Sequence, residues 1–396
     1  MKAHHVYYLM TSARSFAIYM VFTLSTLYYV VEAGLNPLQL VLIGTIMELA
    51  VLFFEIPTGL IADYFGRKVS VLIGTFLIGS AHLLEGFVPE FWAIAVGAAI
   101  WGIGWTFISG AETAWIADEV GNNHLDKVLI KGAKFSSIGS FLGIIVSVIC
   151  ALAFSVQWMI ILAGCLLLLL VVAAQLWMKE TKFVSIAREN TSSIHQMKTA
   201  LTSSLSVING NRMLINLAFV TIFMGLASEG FDRLWGAHLL EGFALDEQTA
   251  IYWFGVLFAG SFLLNIGLIS FVEKYVQHHM STLLVVLNSL LVVAMIGFAL
   301  AHEFILAACL YWVVAALRDV NYPLISIMTN KQLESQGRAT TLSMFGQLDA
   351  FGQIAGGPIV GIIALYTSIQ GGLVGTALLI FPTIYFLWRL SVKSST

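Results

Sequence analysis

Charged residues are scarce in this sequence. Only 10% of its 396 residues are charged, with 19 Lys and Arg against 22 Asp and Glu, whereas 59% are hydrophobic. A soluble globular protein has about 25% charged residues, so the composition excludes a water-covered globule, a disordered chain and a nucleic-acid-binding protein. The formal net charge of −3 indicates no particular partner. A chain embedded in a lipid bilayer is the class that fits.

Cysteine and proline are rare too, with three and six residues. Cys150, Cys165 and Cys309 lie within apolar runs, which predicts buried free thiols and no disulfide framework. No nucleotide-binding P-loop, no zinc-spaced His/Cys cluster and no nucleophile elbow is found in the sequence. We therefore expect no enzymatic activity, no bound metal and no cofactor.

Long apolar segments dominate what remains. A helix needs about 20 mainly apolar residues to cross the hydrocarbon core, and an open sheet cannot cross it at all. The pattern predicts an all-α integral membrane protein with twelve transmembrane helices. Their expected limits are 13–32, 38–62, 69–88, 91–117, 135–156, 158–178, 212–239, 249–272, 280–301, 304–329, 340–366 and 371–390.

The distribution of basic residues supports this count. If the N-terminus is cytoplasmic, 17 of the 19 basic residues fall in the inner segments and none in the outer loops, as the positive-inside rule requires. Both termini are then cytoplasmic, in the inner (plasma) membrane of the cell. Only Arg233 and Arg318 lie within spans. The other 17 are Lys2, Arg14, Arg67, Lys68, Lys127, Lys131, Lys134, Lys179, Lys182, Arg188, Lys198, Arg212, Lys274, Lys331, Arg338, Arg389 and Lys393.

The longest polar stretch divides the chain into two halves. We predict an N-terminal six-helix bundle over 1–178, a cytoplasmic central loop over 179–211 and a C-terminal six-helix bundle over 212–396. Part of the loop, 194–208, fits either an amphipathic helix on the membrane surface or a solvated linker. Faint internal similarity, with Arg14 to Glu32 parallel to Arg212 to Glu229, indicates duplicated, pseudo-symmetric halves.

One motif resembles the signature of a known protein family. The loop between the second and third spans reads Gly59-Leu60-Ile61-Ala62-Asp63-Tyr64-Phe65-Gly66-Arg67-Lys68. It resembles the G-x-x-x-D-x-x-G-R-K signature of the major facilitator superfamily, at the position in the span order where that family has it. The resemblance implies that family's fold and a secondary transporter, one that resembles the drug:proton antiporters.

The family likeness also implies a conformational latch made by this motif, with Gly59, Asp63, Gly66, Arg67, Lys68 and Asp118 as its members. Gly59 allows close helix contact and Gly66 a tight reversal. Arg67 is expected to pair with Asp118 or Glu119. In the superfamily, the carboxylate at the position of Asp63 faces the start of span eleven, here Ser335 to Thr340.

Two departures weaken the drug-antiporter assignment. Span four contains no arginine, and the G-P-x-x-G-G motif expected in span five is absent. A similar run, Gly356-Gly357-Pro358-Ile359-Val360-Gly361, stands in span eleven instead.

Acidic residues outnumber basic ones within the spans. Each charge at membrane depth costs about 3 kcal/mol on insertion scales, so each needs a reason. The candidates for proton coupling are Glu48, Glu55, Asp349, Glu229 and Asp232. The family resemblance implies that the spans of Glu55 and Asp349 are neighbours, so these two acids are expected to face one another. The alternative for Glu55 is a structural cap of the motif loop.

Span seven contains three charges on one helical face. The spacing of Glu229, Asp232 and Arg233 fits either a gate that responds to substrate or protons, or a Glu229–Arg233 ion pair that leaves Asp232 in water. In span ten, Arg318 and Asp319 point about 100° apart. Arg318 is expected to reach Glu112 in the opposite half, or else to pair within its own half.

The remaining candidates would line a substrate cavity. Aromatic residues make up 12% of the chain, and some of them should stack on an amphipathic substrate. The predicted cavity set is Tyr19, Phe22, Thr26, Glu112, Arg233, Arg318 and Asp319.

These features predict a proton-coupled transporter, working as a monomer by alternating access, that exports amphipathic small molecules such as drugs. Its partners would be the substrate, protons and the lipid bilayer, with no nucleic acid. The alternative is an importer or facilitator of a specific metabolite, in which Arg318 binds an anionic group of the substrate.

Overall fold

The architecture comes from a computed structural model, which describes residues 1–183, 202, 205–275, 280–333 and 338–394. Twelve long helices fill these ranges, one for each predicted span. A π-helical turn, Tyr28–Glu32, continues the first of them. The helices are α1 Ala3–Leu27, α2 Pro37–Phe65, α3 Arg67–Phe87, α4 Phe91–Val120, α5 Asn122–Ala153, α6 Val156–Trp177, α7 Arg212–Gly242, α8 Glu247–Tyr275, α9 Met280–Leu300, α10 Phe304–Lys331, α11 Arg338–Tyr366 and α12 Ile369–Ser394.

Among the described residues, eleven of these helices, all except α8, are long and apolar enough to cross a membrane. α8 has 29 residues, and at about 1.5 Å per residue it too exceeds the ~30 Å of the hydrocarbon core. The protein is therefore a multi-pass membrane protein. Most of the predicted central-loop helix, 194–208, falls outside the described residues.

Specific residues begin and end these helices. Gly66 and Gly121, with φ of +111° and +76°, separate α2 from α3 and α4 from α5, since side chains other than glycine rarely adopt such angles. Asn211 accepts the N–H of Met213 at the start of α7, at 2.9 Å. Ser155 caps α6 in the same way, so the short break predicted between spans five and six is a true interruption.

Two predictions about element position were wrong. α1 begins at Ala3, ten residues before the expected start, and α5 begins at Asn122 instead of 135. Each helix extends at its N-terminal end, where polar residues alternate with apolar ones. The three cysteines are free as predicted, but Cys165 and Cys309 are exposed on the helix surface.

The helices group into two compact units. Unit 1 is Met1–Asn36, Ile46–Arg188 and Leu245–Ala259, and unit 2 is Pro37–Thr45, Glu189–Ala244 and Gly260–Thr396. These units follow the predicted halves except for two segments. The first part of α2, Pro37–Thr45, belongs to unit 2, and the first part of α8, up to Ala259, belongs to unit 1. Gly255 of α8 accordingly packs on Val148 of α5 within unit 1.

The two units repeat one pattern of helix pairing. In unit 1, α1 packs on α5 and α6, and α3 packs on α4 and α6. In unit 2, α7 packs on α11 and α12, and α9 packs on α10 and α12. Each pair in unit 2 is the unit 1 pair displaced by six helices, which agrees with the predicted pseudo-symmetric bundles.

A matching glycine seam defines the register of this repeat. In unit 1, Gly139 and Gly143 of α5 lie against the backbone of Ser12 and Phe16 in α1. Glycines four residues apart let two helix backbones approach closely.

In unit 2, Gly352 and Gly356 of α11 lie in the same way against Ile222 and Leu226 of α7. Both contacts place an α1 residue opposite the α7 residue 210 positions later. That register matches Arg14 with Met224, so the parallel between Arg14 and Arg212 suggested by the sequence was wrong.

Candidate functional site

The loop between α2 and α3 positions the signature motif. Gly66 reverses the chain, and α3 begins at the next residue, Arg67. The Arg67 guanidinium donates to the carbonyl of Ala114 at 2.8 Å and pairs with the carboxylate of Asp118. The predicted contact between Arg67 and Asp118 is confirmed, whereas the latch role of the motif stays a prediction.

Other members of the motif behave differently. Lys68 donates from Nζ to the carbonyl of Gln175 at 2.9 Å. An added Cβ at Gly59 would meet no described atom within 4 Å, so the close helix contact expected there is not found. Asp63 is half-buried, and part of its expected partner, Ser335 to Thr340, lies outside the described residues.

The segment that follows α6 is attached to this loop. The Glu180 carboxylate accepts the backbone N–H of Arg67 at 2.7 Å and that of Lys68 at 3.3 Å. An anion at a helix N-terminus satisfies otherwise unpaired N–H groups and the helix dipole. The sequence reasoning missed Glu180 by assigning it to a solvated loop. The sequence did contain an indication of this contact. α3 starts directly after Gly66, which has no side chain to cap the helix, so another group has to accept the first N–H groups.

Glu119 holds the same segment from the end of α4. Its carboxylate accepts the N–H of Thr181 at 2.6 Å and that of Lys182 at 3.2 Å. Trp115 donates to the carbonyl of Lys179 at 2.9 Å. Glu119 is thus a partner of the chain after α6, and Asp118 is the partner of Arg67.

A buried ion pair joins α1 to α4 in unit 1. Arg14 donates from one nitrogen to Oε1 of Glu112 at 2.9 Å, and a second bond joins its other nitrogen to Oε2. The two residues are 6% and 7% exposed. Arg14 was expected in a cytoplasmic segment, but the early start of α1 places it eleven residues inside the helix. The apolar and aromatic residues before Arg14, such as Val6 and Met10, were the available signal.

Arg318 pairs within its own unit. Its two terminal nitrogens donate to Oδ1 and Oδ2 of Asp232 on α7 at 2.5 and 2.7 Å. The Phe231 ring lies 5.3 Å from the guanidinium carbon, within the range of a cation–π contact. The expected bridge from Arg318 to Glu112 was therefore wrong, and the alternative within the same half is the one observed. Asp232 therefore pairs with Arg318, and its side chain is also partly exposed.

The predicted pair of Glu229 with Arg233 is confirmed, at 3.1 Å. Glu229 is 4% exposed, and Gly44 at the start of α2 lies directly over both side chains. Any Cβ at position 44 would collide with the Glu229 carboxylate. The charges of α7 are thus sorted into two pairs, one within the helix and one to α10.

Two further acids of unit 2 accept hydrogen bonds from uncharged amides and, among the described residues, from no basic side chain. Asp319 accepts from Asn265 at 2.8 Å, and Asp349 accepts at Oδ2 from Gln353 at 2.8 Å. Oδ1 of Asp349 is buried and has no hydrogen-bond partner among the described residues. A buried carboxylate oxygen without a donor is costly unless it takes up a proton or a ligand supplies the donor.

Glu48 and Glu55 belong to unit 1, the first half-buried and the second exposed. Their proton-coupling role and the expected facing of Glu55 and Asp349 stay predictions. The backbone carbonyl of Glu55 accepts from Thr58 at 3.2 Å, a contact local to α2.

The predicted cavity residues of α1 are partly exposed. Phe22 is 39% exposed, while Tyr19 and Thr26 are half-buried. The Phe22 ring lies 5.6 Å from that of Trp101 on α4, which stacks at 5.7 Å on Trp105. Aromatic faces on the first and fourth helices of unit 1 are therefore available for contact.

Comparisons with known proteins agree with this architecture. The family model described as "Major Facilitator Superfamily" matches residues 7–347. The chain is 23% identical over 360 residues to the "Uncharacterized MFS-type transporter YxaM" of Bacillus subtilis, covering 90% of this chain and 89% of that protein. It is 23% identical over 274 residues to the "Uncharacterized transporter BU466" of Buchnera aphidicola, covering 66% and 65%.

Solved structures share the fold. The nucleoside transporter NupG superposes with a TM-score of 0.80 at 14% identity, covering 98% of this chain and 99% of that one. A bacterial homologue of the human lysosomal transporter Spinster gives 0.77 at 11% identity, covering 98% and 96%. At such identities the likeness concerns the fold alone. With the family model matching most of its length, the chain belongs to the Major Facilitator Superfamily of membrane transporters.

Proposed function

We propose that this transporter exports amphipathic small molecules, neutral or cationic, in exchange for protons, and that Asp349 carries the coupled proton. The observation that carries the proposal is Oδ1 of Asp349, a buried carboxylate oxygen without a donor among the described residues. Binding of a proton removes the charge, and binding of a donor from the substrate satisfies the oxygen. The same group thus supports both exchange steps.

The charge balance of unit 2 supports a cation or proton over an anion. The polar cluster of unit 2 consists of Glu229, Asp232, Arg233, Arg318, Asp319 and Asp349, which influence one another electrostatically. Both of its arginines are paired, Arg233 with Glu229 and Arg318 with Asp232. Two more carboxylates, Asp319 and Asp349, have no arginine in hydrogen-bonding contact within the part of the chain that the structure describes. Four acids against two bases leave the cluster acidic when all are ionised.

The metabolite-import alternative has less support. It requires Arg318 to bind an anionic substrate group, but Asp232 already occupies both terminal nitrogens of Arg318. The exposed rings of Phe22 and Trp105 in unit 1 suit an amphipathic substrate better. We propose that the protein lies in the inner (plasma) membrane with both termini cytoplasmic, because the positive-inside rule favours that side for the basic residues of its loops, and that it acts as a monomer.

Transport in proteoliposomes tests the proposal. A panel of lipophilic amines is first screened for thermal stabilisation of the purified protein, since a ligand that binds the native state raises its apparent stability. Uptake of the best ligand is then measured with and without an acidic lumen. We expect uptake to depend on the pH gradient and Asp349→Asn to abolish that dependence.

The matched control is Glu303→Gln, which neutralises an exposed acid just before α10. It should transport like the wild type. Uptake indifferent to the gradient would refute proton coupling, and gradient-dependent uptake that survives in Asp349→Asn would remove the role of Asp349.

A further inference from the structure

Four polar side chains meet inside unit 1 where α3 approaches its end. Two are on α3, His82 and Glu85, which are 2% and 5% exposed. The other two, Tyr28 and Tyr29, belong to the π-helical turn after α1 and are 0% and 9% exposed. Buried titratable groups in a membrane span require a physical reason.

Hydrogen bonds connect the four residues through Glu85. Oε1 of Glu85 lies 2.5 Å from Nδ1 of His82, and Oε2 accepts from the Tyr29 hydroxyl at 2.9 Å. The Tyr28 hydroxyl donates to the backbone carbonyl of Glu85 at 2.5 Å. Both carboxylate oxygens therefore have partners, and Glu85 holds the π-helical turn through two tyrosines.

His82 is less completely satisfied. Its Nε2 is buried and has no hydrogen-bond partner among the described residues. With Nδ1 donating to Glu85, a neutral imidazole presents a bare lone pair at Nε2. One proton from water can add there, giving an imidazolium that stays hydrogen-bonded to the carboxylate. The pair then changes from a net charge of −1 to zero.

Within the described ranges, no Lys or Arg side chain forms an ion pair with the Glu85 carboxylate. The only ion pair of Glu85 in the described part of the chain is the one with His82. The titratable residues on the turn after α1 are Tyr28, Tyr29 and the exposed Glu32. Gln157 of α6 donates to the carbonyl of Gly86 at 2.9 Å, and α4 presents Gly97 to the Cβ of Glu85.

The π-helical turn gives the pair a mechanical connection. Its bonds run from Ala33 N to Tyr28 O at 3.0 Å and from the N–H of Leu35 to the carbonyl of Tyr29 at 2.9 Å. Such turns are less regular than an α-helix and recur at functional sites. An imidazolium beside Glu85 partly neutralises the carboxylate charge that the Tyr29 hydroxyl otherwise stabilises. Protonation of His82 therefore weakens the hydrogen bond from Tyr29 to Glu85, which helps to fix the turn.

We propose that His82 and Glu85 form a proton-binding site of unit 1, and that its occupancy controls how firmly the turn Tyr28–Glu32 is held. This site is separate from Asp349, which lies in unit 2. It depends neither on the identity of the substrate nor on the direction of transport. A failure of one proposal therefore leaves the other intact.

Nuclear magnetic resonance of the imidazole rings tests the site directly. The protein, labelled with ¹³C and ¹⁵N at its nine histidines, is titrated in lipid nanodiscs, and His82 is assigned by the signal lost in His82→Gln. We expect the ¹⁵N signal of His82 Nε2 to report the uptake of one proton. Glu85→Gln should change this response, because the carboxylate that accepts from Nδ1 has lost its charge.

Tyr29→Phe should change the response as well, because the Glu85 carboxylate loses one of its hydrogen-bond donors. Tyr366→Phe, at an exposed tyrosine, is the matched control and should change nothing. If His82→Gln does not fold, the histidine signal that responds to both the Glu85 and the Tyr29 variants identifies His82. An identical response to pH in all variants, or no histidine whose response depends on Glu85, overturns the site.

Backbone hydrogen exchange tests the link to the turn. After correction for the pH dependence of chemical exchange, the peptide over 28–36 should exchange faster in the protonated state of the wild type. In Glu85→Gln this difference should disappear. Equal corrected rates at both pH values in the wild type overturn the control of the turn, even where His82 itself titrates.

Discussion

The guanidinium of Arg318 on α10 is held by the carboxylate of Asp232 on α7 through two parallel hydrogen bonds of 2.5 and 2.7 Å. Unit 1 contains a pair of the same kind with its charges exchanged, since Arg14 is on α1 and Glu112 on α4. Because α1 and α4 correspond to α7 and α10 in the repeat, each unit joins its first and fourth helices by a bidentate arginine–carboxylate pair. Planar bidentate pairs of this kind fix geometry as well as charge.

Asp232→Asn should destabilise the protein by about 1–3 kcal/mol, less than a fully buried pair because the Asp232 side chain is partly exposed. The charge of Arg318 is then left without its partner. The measurement is the apparent melting temperature in detergent, with Glu303→Gln as the control of equal charge change. A double substitution, Asp232→Asn with Arg318→Gln, should recover part of the loss, and additive effects of the two changes would contradict the pairing.

Glu112→Gln should cost more, about 3–5 kcal/mol, because it leaves the buried Arg14 uncompensated. Arg14→Lys is not conservative here, since a single ammonium cannot form both bonds. Replacing both residues by apolar ones, Arg14→Met with Glu112→Leu, should restore most of the stability. If Arg14 instead marked the cytoplasmic side of the membrane, Glu112→Gln and an exposed acid such as Glu90→Gln would have equally small effects on the melting temperature.

Arg14 shows what the sequence could and could not supply. Long apolar runs and loop charges were enough for the twelve helices, their order and the two halves, because lipid imposes those patterns on every span. The positive-inside rule also placed Arg14 in a loop, because it indicates on which side of the membrane a basic residue lies and not how far inside a helix it is. Only the start of α1 at Ala3 puts Arg14 inside the bundle.

Side-chain partners were predicted where the contact is local or belongs to a motif. Glu229 with Arg233 follows from helical spacing, and Arg67 with Asp118 from the resemblance of the loop. Arg318 with Asp232 depends on which faces of α7 and α10 meet, and Tyr29 with Glu85 depends on how α3 meets the turn after α1. Spacing along one helix contains no information about either contact. His82 and Glu85, by contrast, are three residues apart on α3, so helical spacing could have indicated their pairing.

Glu180→Gln should loosen the segment after α6. The carboxylate caps α3 at Arg67 and Lys68, and loss of a helix cap costs about 1 kcal/mol. Trypsin cleavage at Lys179 and Lys182 should become several-fold faster in detergent, because local opening exposes those bonds. Asp126→Asn, at an exposed acid of α5, is the control, and unchanged cleavage in Glu180→Gln relative to it would show that the cap does not hold the segment.

The two glycines of the loop motif should respond in opposite directions to alanine. Gly66 has a φ of +111°, and its Cβ would approach the Glu180 carboxylate, so Gly66→Ala should lower the free energy of unfolding by about 1–3 kcal/mol. Gly59 lies within α2 with no described atom within 4 Å of its Cβ position. Gly59→Ala should therefore stabilise α2 by up to about 1 kcal/mol.

Thermal unfolding of the two variants side by side separates backbone conformation from helix contact. A destabilised Gly59→Ala would mean that a neighbour packs against Gly59 in another state of the transport cycle, which is what the latch role of the motif requires. That variant would then also slow transport. Stabilisation with unchanged transport would limit the role of the motif's glycines to the reversal at Gly66.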